Sequence, residues 1–243
     1  MSEPRHIDLN SDVGEGFGAW PGGPDGVLIP MLSSVNVACG FHAGDPQIMQ
    51  RTCALARQHG CSIGAQVSYP DLAGFGRRFM DMQPDELTAA VVYQLGALDG
   101  FARLAGDRVR YVKPHGALYN AIVSHEGQAA AVAAAVHAYD PTLAVLGLPV
   151  SAIRTSCERM GLRFVAEGFA DRAYTDEGTL VPRTEQGALI TDPDAAAVQA
   201  LALVERGVAS ICVHSDTPGA PEILATVALA LVGAGYTTQP FAP

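Results

Sequence analysis

At 243 residues with 49% hydrophobic content, the chain is long enough to bury a large core, either as one barrel-sized domain or as two small ones. A net charge of −10 leaves no basic stripe, which argues against nucleic-acid binding and against an anionic membrane surface. No apolar run reaches about 18 residues, and the opening MSEPRHIDLN has neither the charged nor the apolar region of a secretion signal, so a cytoplasmic protein is expected.

Short β-rich runs alternate with helix-like stretches at βα spacing. Strands are predicted near 6–10, 34–39, 62–67, 110–113, 143–148, 163–167 and 209–213. Helices are predicted near 47–59, 84–104, 127–139, 150–160, 195–206 and 222–233. Asp45-Pro46 and Asp192-Pro193 place a cap acceptor before a proline at the first helical position. Gly60 and Gly161 end their helices with the residue that best tolerates a left-handed turn. Seven parallel strands with no composition break predict a single α/β domain over 1–243, a TIM-like (β/α)7 barrel. Three long connections, 13–33, 68–83 and 169–191, all follow strands and so belong on the carboxyl rim. The five cysteines show no C-x-x-C spacing, so neither a disulfide framework nor a zinc knuckle is expected.

The strand ends carry unusual chemistry. IDLNSDVGEG places Asp8, Asn10 and Asp12 where the first strand ends, and VNVACGFHAGD adds Asn36 and His42. The third strand runs into Gln66 and Ser68, and VKPHGALYN brings Lys113, His115 and Tyr119. AEGFADRAY and CVHSDTPGA finish the sixth and seventh strands with Glu167, Arg172, His214 and Asp216. A parallel barrel puts every such end on one face, so these segments are expected around one mouth. Lys113 is the only lysine beside fourteen arginines, and a lone ammonium at a strand end suits chemistry: it is compact, can lose its proton when desolvated and binds phosphate as a point charge. His42, His115 and His214 could bind metal, move protons or orient a carboxylate. Arg77 in GFGRRF has a fork suited to a carboxylate or phosphate. GEGFGA satisfies a dinucleotide fingerprint in letters only, because WPGGPDG follows and cannot open a helix, and the chain has no P-loop motif.

Together, IDLNSDVGEGFG, VNVACGFHAGDP, YPDLAGFGRR, VKPHGALYN, EGFADRAYTDEGTLVPR and HSDTPGA resemble the LamB/YcsF family over almost the whole chain. The resemblance implies a barrel akin to the sugar-deacetylase folds and ATP-dependent opening of 5-oxoproline to glutamate. It also implies two 5-oxoprolinase subunits, B and C, as partners, with ATP as cosubstrate and Mg²⁺ accompanying it. One departure is GAQVSYPD, where the family usually reads G-A-H-P. Gln66 is a poor substitute for imidazole on a transition metal, so no such site is expected, while Mg²⁺ needs only one or two protein oxygens, with Asp8 and Asp12 as the residues for it.

On this reading Lys113 stabilises phosphate or an oxyanion, and His115 orients or transfers a proton beside it. Asp12, with Asp8 and Asn10, binds Mg²⁺ or the ring N–H and serves as general base; His42 is a second acid–base group. Arg77 or Arg172 clamps the substrate carboxylate, and Asn36, Tyr119, Glu167, His214 and Asp216 complete the substrate- or nucleotide-binding set. Two alternatives stay open: a metal-dependent amidohydrolase or deacetylase acting without ATP, and a non-catalytic substrate-binding subunit.

Overall fold

Strand β1 (Arg5–Val13) has a parallel partner on each side, β2 (Ser34–Ala38) and β7 (Ser210–Cys212), and this double pairing closes the sheet into a ring. The ring runs in chain order through β3 (Ser62–Gln66), β4 (Val109–Val112), β5 (Ala144–Gly147) and β6 (Arg163–Phe169), all parallel. The structure, a computed structural model, describes residues 5–242. The expected seven-stranded barrel is therefore present. A short eighth strand, β8 (Tyr236–Thr238), pairs with the start of β1 outside the ring. Three residues carry too little periodicity to announce a strand, which is why the sequence did not reveal it.

Around the ring lie α1 (Asp25–Leu28), α2 (Pro46–His59), α3 (Pro84–Leu104), α4 (Gly116–Ser124), α5 (Glu126–Tyr139), α6 (Ala152–Met160), α7 (Pro193–Glu205) and α8 (Ala220–Gly233). None is long and apolar enough to cross a membrane. The caps work as their chemistry predicts: Asp45 accepts from the amides of Gln47 and Ile48 at 2.9 and 3.0 Å, and Gly60 and Gly161 end α2 and α6 at φ +71°. Two helices were not expected, α1 and α4. Helix α4 begins in the VKPHGALYN motif, where Gly116 sits at φ +58°; a Cβ there would meet the Gly76 carbonyl oxygen at 2.5 Å.

Side chains facing out from the strands, among them Leu9, Val35, Val37, Ile63 and Val112, join the helices in the main apolar core. Inside the ring, the lower end is filled by Tyr111, Ala144, Leu146 and Val165, closed by Phe241 of the C-terminal tail against Tyr111 at 4.8 Å between ring centroids. Gly64 on β3 has to be glycine, because a Cβ there would enter the Tyr111 ring. Above that layer the interior turns polar, with Asp8, Asn10, Asn36, Glu167 and Ser210 all at most 1% exposed. Parallel barrels ordinarily fill these layers with branched apolar residues. A polar filling is tolerable only if every group is partnered, and the partners converge on the mouth.

Candidate active site

The pleat of β1 turns Asp8, Asn10 and Asp12 to the same side, so they climb the barrel interior one above another. Their levels differ in consequence. The strand continues to Val13, beyond the predicted end at residue 10, and the mouth lies at Asp12. Asp8 is thus a correction: it sits deep, accepting hydrogen bonds from Ser33 (2.7 Å), Ser34 (2.5 Å) and Ser210, and does not reach the mouth. Four residues of strand separate Asp8 from Asp12 by about 13 Å, so the two cannot share one Mg²⁺. Asn10 and Asn36 are likewise interior struts and do not contact the cavity: Asn10 donates to Glu167 (3.0 Å) and Ser210 (2.6 Å), and Asn36 donates to Asn10 (2.7 Å) and Asp12 (2.9 Å). Tyr111 donates to Asn36 at 2.8 Å and anchors that strut from below.

Burial raises the Asp8 carboxyl from its ordinary 3.8 to about 6, against the serine hydrogen bonds that favour its charge. The folded state therefore holds this proton more tightly than the unfolded chain, so Asp8 contributes stability below pH 4 that is lost as pH rises through about 6. Two units correspond to about 3 kcal/mol. Urea unfolding of Asp8→Asn beside the parent should show the variant gaining by about that amount between pH 4 and pH 7; a constant difference would mean that Asp8 titrates normally.

Lys113 leaves the end of β4 and reaches across the floor of the mouth, 2% exposed. Its ammonium donates to Glu167 (2.7 Å) and the Asn10 side-chain oxygen Oδ1 (3.1 Å), lies 3.3 Å from Asp12 and 3.1 Å from the Cys212 sulfur, and sits over the Phe169 ring. Burial pulls its pKa down, but Asp12, Cys212 and Glu167 together hold it well above the ordinary lysine value. Of the two properties that a lone ammonium offers, this setting favours the charge over proton loss, in keeping with the expected role of Lys113 beside phosphate or an oxyanion. Burial likewise raises Asp12, yet Lys113, His214 and His115 bring it below the usual carboxylate range. With the Lys113 ammonium 3.3 Å away and Asn36 donating to it at 2.9 Å, Asp12 is placed as the counter-charge of that ammonium. Glu167, fully buried behind Lys113 with the Tyr119 hydroxyl donating to it at 3.0 Å, does not face the cavity and is no ligand contact. Tyr119 itself lines the wall.

His115 and His42 stack face to face, 3.9 Å apart, beside Gln66 and Glu15. The Gln66 carboxamide bridges the edges of the two rings: its NH₂ donates to Glu15 (2.8 Å) and to His115 Nδ1 (2.9 Å), and its oxygen accepts from His42 Nε2 (3.1 Å). His115 Nε2–H donates to the Phe75 carbonyl at 2.9 Å, which settles its neutral tautomer. Burial and His42 hold the ring well below the ordinary 6.5, so it is uncharged at neutral pH. His42, 1% exposed behind His115 and Gln66, does not line the cavity, which removes it as an acid–base group contacting substrate. The donor atoms of Glu15, His42 and His115 lie within 4.8 Å of one another, a set that suits a transition metal. The inward positions are nevertheless taken by the Gln66 amide, which occupies the donors that a metal would need.

The cavity encloses about 800 Å³, with Asp12, Lys113, His115, Tyr119, Phe169 and His214 around its deeper part and Arg77, Arg172 and Arg183 on loops at its rim. His214, stacked on Phe169, donates from Nδ1 to Asp171 at 3.0 Å. Burial would raise Asp171, but His214 and the Thr217 hydroxyl hold it below the ordinary carboxylate range. An ionised carboxylate on Nδ1–H orients the ring and leaves Nε2 as the lone pair, the arrangement of a general base. Arg172 donates to the carbonyls of Ala188 (3.3 Å) and Val181 (2.6 Å), shaping its own loop. Asp216 pairs with Arg77 at 2.5 Å and Arg183 at 3.1 Å, partly exposed on the rim. Sequence reading missed Asp171 and Arg183 as site residues, and it gave Gln66, expected at the mouth, no role in holding the histidines. Asp171 and His214 are 43 positions apart, and only neighbouring strand ends bring them together.

Polar chemistry gathered at the carboxyl rim of a closed parallel ring is the plan of TIM-like α/β barrels. The same fold occurs in a family 4 carbohydrate esterase from Streptomyces lividans in complex with acetate, at a TM-score of 0.53 and 14% identity over 98% of this chain and 94% of that one. The particular family is more specific: the LamB/YcsF profile matches residues 7–243, and the chain belongs to this family. It is 54% identical over 249 aligned residues to the A subunit of 5-oxoprolinase from Streptomyces avermitilis, covering 97% of this chain and 100% of the relative. A crystal structure of a lactam utilization protein from Thermus thermophilus superposes at a TM-score of 0.91 with 41% identity, over 97% of this chain and all of that one.

Proposed function

We propose that the chain is the A subunit of an ATP-dependent 5-oxoprolinase, acting with subunits B and C to convert 5-oxoproline, ATP and water into glutamate, ADP and phosphate. The observation that carries this reading is that one cavity floor presents both a permanent cation, Lys113, and a carboxylate-oriented imidazole, His214. Full-length similarity to a relative named for this reaction supports the choice of substrate.

The chemistry explains why both groups are needed. A five-membered lactam re-forms readily, because an intramolecular amine has an effective molarity worth several kcal/mol. Opening must be driven, and phosphorylation of the lactam oxygen supplies the drive by creating an imidate-like carbon with a good leaving group. Water activated by His214 Nε2 attacks that carbon, and the ring C–N bond of the adduct breaks as the imidazolium, stabilised by Asp171, returns its proton to the departing nitrogen. A second water cleaves the resulting acyl phosphate to glutamate and phosphate. Lys113 neutralises the charge developing on oxygen or phosphate; Asp12 and Glu167 hold the ammonium in place without a need to reorganise. His115, neutral, closes the wall beside it. Asp12, the one carboxylate of the expected pair at the mouth, would be the residue to hold a Mg²⁺ accompanying the nucleotide, which would supply further neutralisation of phosphate charge.

The test is a coupled assay for glutamate and ADP on this chain alone and with its B and C subunits. Equal amounts of both products, formed only with all three subunits and 5-oxoproline, are expected. Glutamate released without nucleotide would replace this reading with that of an ATP-independent amidohydrolase.

A further inference from the structure

Arg183, on the connection between β6 and α7, lines the cavity rim near Arg77 and Arg172. Its Nη1 and the Nη2 of Arg77 donate to the same Asp216 oxygen, at 3.1 and 2.5 Å. One carboxylate thus serves two guanidinium groups. Arg183 Nη2 is buried and has no hydrogen-bond partner among the described residues. A buried guanidinium N–H without an acceptor is costly, and in a cavity wall it marks the position of a missing acceptor atom. Arg172 adds a third charge: burial and Arg183 bring it down to about 10, so it is protonated at neutral pH, but two of its nitrogens are already used by loop carbonyls.

The charge is unevenly distributed along the cavity. At the floor Lys113 is countered by Asp12 and Glu167, whereas at the rim three guanidinium groups face one carboxylate. An anionic group on a ligand is therefore drawn to the rim, and the uncharged part of the same molecule is directed toward Lys113 and His214. We infer that Arg183, together with Arg77, forms an oxyanion subsite at the cavity rim that takes the carboxylate of the lactam or a phosphoryl oxygen. Asp216 sets the two forks at the spacing of a shared acceptor. This deepens the 5-oxoprolinase reading and rests on it for the identity of the lactam.

Isothermal titration calorimetry on the full chain and on Arg183→Met tests the subsite with three probes: 5-oxoproline, 2-pyrrolidinone (the same lactam without a carboxylate) and inorganic phosphate. A carboxylate subsite predicts that Arg183→Met weakens 5-oxoproline about 10- to 100-fold and leaves 2-pyrrolidinone unchanged. A phosphoryl subsite predicts the same loss for phosphate instead. Arg183→Lys, which keeps the charge but not the fork, should fall between the parent and Arg183→Met and guards against a misfolded methionine variant. Both anions binding Arg183→Met within twofold of the parent would overturn the subsite. Equal weakening of 2-pyrrolidinone would overturn it too, because the loss would then be general. Failure of the parent to bind 5-oxoproline, with phosphate still dependent on Arg183, would remove the substrate reading and leave the subsite standing.

Discussion

Replacing Lys113 with methionine should abolish 5-oxoproline-dependent ATP consumption in the three-subunit assay, by at least about a hundredfold, the typical loss when one preorganised stabiliser of developing charge is removed. The same change should also destabilise the fold. Asp12 and Glu167 would be left as uncompensated charges in a closed interior, each 4% exposed or less, and breaking such a buried pair costs about 3–5 kcal/mol. The two effects can be separated. Lys113→Met combined with Glu167→Gln removes one stranded charge and should recover part of the lost unfolding free energy, measured in urea, while activity stays absent. Turnover within a few-fold of the parent in either variant would exclude Lys113 from the chemistry. Recovery of turnover along with stability would reduce the lysine to a structural role.

The second large effect concerns Gln66. Histidine there should convert the Glu15, His42 and His115 cluster into a metal centre, because an imidazole in place of the bridging carboxamide would be a fourth ligand instead of a partner that occupies the others. After dialysis against zinc and removal of loose metal, Gln66→His is expected to retain about one equivalent by mass spectrometry, with the parent well below that. Activity should fall at least about tenfold, since His115 would lose the hydrogen bond that keeps its Nδ1 an acceptor and its ring in one tautomer. Equal zinc in parent and variant would mean that Gln66 swings aside for metal, and the amidohydrolase alternative would gain accordingly.

Local signals sufficed for the order of elements. Alternation and caps placed all seven ring strands and six of the eight helices within a few residues, because strand periodicity and helix capping are decided by near neighbours along the chain. The gathering of Asp12, Lys113, His115 and His214 around one cavity was equally legible, since a parallel barrel sends every strand's carboxyl end to one face. Lys113 stood out by being the only lysine.

Depth and partnership were not legible, because both depend on how the ring closes. The stagger between β1 and its neighbours pairs Asp8 with Ser210 and Asp12 with Asn36, and this register leaves one aspartate among serines and raises the other to the mouth. Motif spacing within IDLNSDVGEG cannot distinguish the two. The Asp171–His214 pair, the Gln66 bridge and the Arg77–Asp216–Arg183 tie likewise join residues from separate loops and strands, so no local pattern encodes them. The sequence by itself determined which chemistry the molecule carries and on which end of the barrel it lies. Only the tertiary structure decided which charges neutralise one another and which remain for a ligand, because burial and pairing are properties of contacts between strands and not of any one strand.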